Sequence, residues 1–329
     1  MTITLGTIAL DNPVFLAPMS GITDMAFRRI ARRLGAGLVV SEMVVGQELL
    51  SGSREGLRRV QYADDEAPVA IQLAGNEANS LGEAARLAQD LGAQIIDINM
   101  GCPAKKVCNG YAGSALMREL GLAARLIAAT VAAVSVPVTL KMRLGWDDAS
   151  RNAPELARIA ADLGVAMITV HGRTRCQFYK GEADWSAVAA VRDAVDLPLV
   201  VNGDIASADD AREALIRSGA DAVMVGRACQ GRPWLPGQIA RGLSGEAPED
   251  EPDLPTRRSI ALEHFEAMID HHGVELGVRC FRKHFAWYVE GLSNEKTARA
   301  RINSQTDPDE VRQAVAEAFD EARELAEAA

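Results

Sequence analysis

Aromatic side chains are scarce in this sequence. Phe, Tyr and Trp make up 5% of its 329 residues, although 48% are hydrophobic. With so few rings, the core must come from Ala, Val, Leu and Ile, the residues of helices packed on parallel strands. Cysteine is sparse as well. The five (Cys102, Cys108, Cys176, Cys229 and Cys280) are odd in number and form no Cys-x-x-Cys pair. That argues against a disulfide framework and against a zinc or iron–sulfur site, so no metal is expected. No apolar run approaches the roughly 18 residues of a membrane span. The opening residues MTITLGTIALDNPVF have neither the basic stretch nor the apolar stretch of a secretory signal. A soluble, cytoplasmic protein without a membrane partner is expected. An excess of basic charge is missing too: the net charge is −10, which taken alone speaks against nucleic acid.

What is present is a repeating alternation. Eight short apolar runs recur: VFLAPM (14–19), LVVSEM (38–43), VAIQLA (69–74), IIDINM (95–100), VTLKMR (138–143), MITVHG (167–172), LVVNGD (199–204) and AVMVG (222–226). Each is short, aliphatic and bounded by turn residues, as a strand buried on both faces should be. Stretches of helical period such as LGEAARLAQDLGA separate them. Eight strand–helix units predict a closed (β/α)8 TIM barrel, an α/β fold, over residues 1–245. The segment 246–255, EAPEDEPDLP, is acidic, holds three prolines and reads as a linker. Residues 256–329 then predict a small all-helical domain with helices at 256–272, 277–292, 294–304 and 308–327, broken at Gly273, Gly277 and Gly291.

In such barrels the active site is built from the C-terminal ends of the strands. Those ends carry Pro18 and Met19, Glu42, Gln72, Asn99 to Cys102, Lys141, His171, Asn202-Gly203-Asp204 and Gly226-Arg227. A purely structural barrel has no reason to collect so many polar residues at one rim. The glycines after the seventh and eighth strands let backbone N–H groups approach an anion, with Arg227 adding its fork of donors. Read blandly, Gly203 and Gly226 are only turn residues. No G-x-G-x-x-G follows the first strand, so a mononucleotide phosphate fits better than a dinucleotide. Lys141, pointing into a barrel mouth, must be paired or must act, as a Schiff base or as the partner of an anionic ring. Gln72 and Asn202 suit a heterocycle edge, and His171 is either a ligand contact or a satisfied core histidine. Cys102 sits at a strand mouth between Gly101 and Pro103, a poor place for inert packing. Its thiol is either a neutral general acid or, with Lys105 and Lys106 nearby, a nucleophile.

Taken together, LAPMSGITDMAFR, INMGCPAKKV, AGSAL, LKMRLGW, HGRTRCQFYKGEADW, VNGDI and MVGRACQGRPW resemble the tRNA-dihydrouridine synthases, most closely their bacterial DusB-type branch; RKHFAWYVEGL (282–292) extends the resemblance into the helical region. The resemblance implies an FMN-dependent barrel that reduces the C5–C6 double bond of a uridine in tRNA with NADPH. By position it makes Cys102 the acid that protonates C5 after hydride reaches C6. It makes Pro18, Met19, Ser20, Gln72, Lys141, Asn202, Gly203, Asp204, Gly226 and Arg227 the FMN contacts, with His171 close by and Asn99 facing the uracil. Lys105, Lys106, Arg173 and Arg175 become RNA contacts. From Arg279 to Arg301 there are six Lys/Arg, Arg279, Arg282 and Lys283 among them, interleaved with aromatics that are expected to be mostly core. This segment is the expected RNA grip of a monomeric enzyme, with the acidic stretch from Asp307 facing away. Cys108 departs from the family pattern. Two other readings stay open: a flavin barrel acting on free pyrimidines, and a non-catalytic tRNA-binding protein.

Overall fold

A computed structural model of the protein describes residues 3–247 and 250–327; Pro248 and Glu249, inside the expected linker, lie outside the described residues. All eight expected strands form: β1 (Val14–Leu16), β2 (Leu38–Val40), β3 (Val69–Ala74), β4 (Ile95–Met100), β5 (Val138–Arg143), β6 (Met167–His171), β7 (Leu199–Asn202) and β8 (Ala222–Val225). They pair in parallel around a ring, which closes where Val39 of β2 meets Val69 of β3. Helices lie between consecutive strands, as parallel crossovers require.

The two-residue period of a strand sorts the side chains. In β5, Val138, Leu140 and Met142 join the shell between strands and helices, while Thr139, Lys141 and Arg143 face the barrel axis. In β4 the axial set is Ile95, Asp97 and Asn99. The axis is therefore graded. Its lower part holds Phe15, Leu38, Val40, Ala70, Ile95, Met167, Val200, Ala222 and Met224, and Ile3, Leu5 and Leu10 pack on them from below. The last three belong to or flank a small hairpin, Thr4–Leu5 paired with Ile8–Ala9, which plugs the N-terminal end. Its upper part is polar and leads to the mouth.

The four C-terminal helices are Leu254–His272, Val274–Tyr288, Glu295–Ser304 and Pro308–Glu327. The first begins inside the expected linker because Asp253 caps it, accepting from the Thr256 N–H at 2.8 Å. Gly273 does separate two helices, at φ +81°. Gly277 does not. It lies within the second helix, where a Cβ would stand 2.7 Å from the Met268 carbonyl oxygen. A glycine read as a break is thus a close helix–helix crossing.

Phe281, Phe285 and Tyr288 are fully buried, and their core also takes in Ala26, Ile30 and Trp234 of the barrel. The two parts share one apolar contact. The acidic last helix partly neutralises the basic segment, since Arg301 pairs with Glu317 and Glu321 at 2.8 and 2.9 Å. At the junction, Gly231 adopts φ +70°, and a Cβ there would lie 2.4 Å from the Trp287 carbonyl oxygen. Gly231→Ala meets both backbone strain and backbone atoms that cannot yield. It is expected to destabilise the protein by about 1–3 kcal/mol, read as a fall in melting temperature; an unchanged melting temperature would refute the close approach.

Candidate active site

The polar upper barrel opens into a cavity of about 730 Å3. β1 and its loop bring Pro18, Met19 and Ser20 to it, β3 brings Gln72, and β4 brings Asn99 and Cys102. Lys141 of β5 and His171 of β6 line it, as do Asn202, Gly203 and Asp204 at the end of β7 and Gly226 and Arg227 after β8. Every residue expected around the cofactor, together with Cys102 and Asn99, therefore shares one chamber.

The groups beneath the mouth hold one another in place. Asp97 accepts from Thr139 Oγ1 at 2.6 Å and from Gln72 Nε2 at 2.7 Å. Asn99 Nδ2 donates to Gln72 Oε1 at 2.7 Å, and Asn99 Oδ1 accepts the N–H groups of Gly101 and Cys102 at 3.2 and 2.9 Å. Burial raises the Asp97 carboxyl above its ordinary value, against these bonds and the charge of Lys141. Lys141 donates to Asn202 Oδ1 at 2.9 Å, and Asn202 Nδ2 donates to the Met224 carbonyl at 2.8 Å. Burial, helped by the charge of Arg143, pulls the Lys141 ammonium down to about 8. It stays mostly charged at neutral pH. His171, buried and beside Arg143, Lys141, Arg173 and Arg227, is held well below its ordinary value and is neutral.

The Cys102 thiol is partly buried, and desolvation raises it above its ordinary value; an Ala104 bond and the charges of Arg143 and Lys141 oppose this without reversing it. It is a neutral thiol. Lys105 and Lys106 are exposed on the short helix Lys105–Asn109. The arrangement suits a proton donor rather than a thiolate nucleophile.

A flavin mononucleotide fits the donor set. His171 Nδ1 is buried without a partner among the described residues. Lys141 has three ammonium protons and one side-chain acceptor. At Gly226 a Cβ would lie 3.6 Å from Ala17 Cβ and 3.9 Å from the Met19 sulfur, narrowing the chamber.

Arg173 is a correction. It is only 1% exposed and has no surface to offer RNA. It donates to Asp204 Oδ1 at 3.0 Å, to Asp204 Oδ2, and to the carbonyls of Lys180 and Gly181 at 3.1 and 2.5 Å. Asp204 also accepts from Ala183 N–H at 2.8 Å and from Arg227 at 3.1 Å. Burial alone would raise this carboxyl, but the Arg173 and Ala183 bonds and the two arginine charges hold it below its ordinary value. With its carboxylate so committed, Asp204 lines the chamber in a left-handed conformation, at φ +55°.

The remaining basic residues expected to meet RNA lie outside the cavity. Arg175 sits 4.6 Å from both the Trp146 and Phe178 rings at the rim. Arg279 and Lys283 are exposed. Lys283 reaches the barrel, since a Cβ on Gly21 would be 3.1 Å from its ammonium. Arg282 is half-buried and donates to the Gln305 carbonyl at 2.7 Å. Sequence reasoning passed over Arg143, which lines the chamber and donates to the carbonyls of Gly101, Thr174 and Phe178 at 2.8, 2.9 and 2.8 Å. It also missed Tyr179, whose ring lies 5.4 Å from the Arg143 guanidinium and 5.1 Å from that of Arg227. Arg143 stands two residues past Lys141 on the same face, so the strand period was its available signal.

Fold and rim together define a (β/α)8-barrel enzyme with its chemistry at the strand ends. Residues 15–324 match the family model described as dihydrouridine synthase. A probable tRNA-dihydrouridine synthase of Rickettsia bellii is 49% identical over 318 residues, covering 96% of this chain and 98% of that one. One of Rhodobacter capsulatus is 52% identical over 326 residues, covering 98% and 99%. The tRNA-dihydrouridine synthase B of Xanthomonas axonopodis is 48% identical over 305 residues, covering 93% and 92%. An old yellow enzyme homologue from Zymomonas mobilis superposes with a TM-score of 0.53 at 16% identity, over 76% of this chain and 94% of that one, a likeness of fold. The chain belongs to the dihydrouridine synthase family, and with it to the oxidoreductases that act on a CH–CH bond. No helix among the described residues is long and apolar enough to cross a membrane.

Proposed function

We propose that this protein is a cytoplasmic, monomeric, FMN-dependent tRNA-dihydrouridine synthase that uses NADPH to saturate the C5–C6 bond of a uridine in tRNA. The observation that carries the reading is the neutral Cys102 thiol in the same chamber as Lys141, His171 and the glycines after β7 and β8. The names of the curated relatives supply tRNA as the substrate. When bound, FMN would supply the hydride chemistry, two electrons from NADPH destined for uracil C6.

The chain's own residues do the rest. Gly203, Asp204, Gly226 and Arg227 would hold the phosphate of the cofactor. Lys141 and Gln72 would hold its ring edge, where the Lys141 charge would offset negative charge. Asn99 faces the uracil. Cys102 gives its proton to C5, where the added electron pair would otherwise remain. The target base must leave its stack, at a cost of a few kcal/mol. Arg279, Lys283, Lys105, Lys106 and Arg175 would offset that cost by gripping RNA phosphates, with the C-terminal helices extending their reach.

The test follows the flavin absorbance. Protein reduced anaerobically with NADPH and freed of excess reductant is mixed with tRNA lacking dihydrouridine, or with free uracil. Rapid reoxidation by tRNA alone supports the reading. Reoxidation by uracil but not tRNA would move the enzyme to free pyrimidines, and a protein that takes up no flavin would leave a non-catalytic RNA binder.

A further inference from the structure

Two buried neighbours of Cys102, Ser114 and Cys108, have no part in the chemistry above. Both aim at one atom, the Cys102 carbonyl oxygen. Ser114 donates to it twice, from its N–H at 3.1 Å and from its hydroxyl at 2.8 Å. The Cys108 thiol approaches the same oxygen at 3.5 Å. On the other side, the Cys102 N–H is held by the Asn99 side chain at 2.9 Å. The peptide units before and after Cys102 are thus both pinned, and Pro103 stiffens the next residue. Little freedom is left to the sulfur beyond rotation about its own Cα–Cβ bond.

This clamp reaches into the barrel. Ser114 belongs to the turn Gly113–Arg118, whose Leu116 and Met117 are buried in the main core. Asn152 Nδ2 fastens the same turn at the Met117 carbonyl, 2.7 Å away. Gly113 makes the approach possible. It adopts φ +60°, and a Cβ there would lie 2.8 Å from the Cys102 oxygen and 3.2 Å from Cys102 Cβ. The exposed part of the loop has lighter support, with Asn76 Nδ2 bonding the Gly110 carbonyl at 2.7 Å.

We infer that Ser114 is the positioning residue for the Cys102 thiol: its hydroxyl locks the Cys102 carbonyl to the barrel core and so keeps the sulfur turned to the chamber. The inference rests on Cys102 being the proton donor. A proton transfer to carbon is sensitive to placement, and a shift of about 1 Å can cost on the order of 100-fold. Removing the hydroxyl leaves the Ser114 N–H bond in place, so the fold survives while the loop gains freedom.

The experiment compares Ser114→Ala with wild type in two ways. Alkylation of Cys102 by iodoacetamide, followed by mass spectrometry across pH, is expected to change in rate about tenfold with an unchanged midpoint. Single-turnover reoxidation by tRNA is expected to slow about 10–100-fold, with NADPH reduction and the KM for tRNA unchanged. Ser114→Thr and Ser114→Val, equal in shape, separate hydroxyl from volume: Thr should behave as wild type and Val as Ala. Unchanged alkylation, unchanged reoxidation, or Thr and Val behaving alike would each overturn the inference. Altered alkylation in a protein whose wild type never reacts with tRNA would sink the proposed function instead, leaving the clamp standing.

Discussion

Cys102→Ala is expected to slow reoxidation of the NADPH-reduced protein by tRNA about 10^2–10^4-fold, the usual worth of a positioned acid, while the NADPH step keeps its rate. The asymmetry follows from where the thiol acts. It lines the chamber beside Asn99 and Lys141, and its proton is needed only when C5 of the base gains an electron pair. Desolvation raises the thiol above its ordinary value, so the donor form persists throughout the neutral range. The wild-type rate should be level from pH 6 to 7.5. A decline centred near 8 would report Lys141, whose ammonium is drawn down to about 8 by burial; a decline only at higher, alkaline pH would report Cys102, whose thiol desolvation raises. Alanine at 102 reacting at the wild-type rate, or slowing NADPH reduction equally, would remove the thiol from the reaction.

Much of this site can be read from β-strand periodicity. VTLKMR places Thr139, Lys141 and Arg143 on one face, and IIDINM does the same for Asp97 and Asn99, because strands buried on both sides leave the polar residues only the barrel axis. Strand ends mark the rim, but the same count taken further would have included Arg143 and Asp97. Beyond a strand end the period stops informing. Arg173 follows Gly172 in the motif HGRTR beside Arg175, yet one guanidinium turns inward to Asp204 and the other lies against Trp146. That choice is set by the β7 loop, with Asp204 at φ +55°, some 30 residues away. Gly277 was misread for a related reason. A glycine inside a helical pattern signals either a break or a close neighbour, and only the packing of Met268 against it decides. The clamp on the Cys102 carbonyl was likewise hidden, because main-chain acceptors leave no mark in the residue types.

The junction between the barrel and the C-terminal helices is expected to weaken steeply as pH falls from about 6.5 to 4. Four of the five histidines meet there. His264 and His284 are fully buried with ring centroids 4.6 Å apart, against Phe27 of the barrel. His264 Nδ1 meets the Tyr288 hydroxyl at 3.2 Å, and its Nε2 and both His284 nitrogens have no partner among the described residues. His272 Nε2 contacts Asp24 Oδ2 at 2.7 Å, with His271 stacked beside it. Asp24, Arg28, Arg58 and Lys283 are charged groups nearby. Burial lowers His264 and His271 to about 4, and His284 is also held well below its ordinary value. These folded values lie below the unfolded value of about 6.5. The unfolded chain therefore binds more protons between pH 6.5 and 4, and stability that is complete above 6.5 is lost on the way down. His264 alone accounts for about 3 kcal/mol over that window. Asp24, depressed rather than raised, loses its contribution only below the usual carboxylate range and does not offset the loss. Thermal unfolding at pH 7.5 and pH 4.5 measures the effect. The double variant His264→Phe/His284→Phe should start less stable, having lost the Tyr288 contact, yet fall much less between the two pH values. Parallel falls in variant and wild type would place the acid sensitivity elsewhere than at this junction.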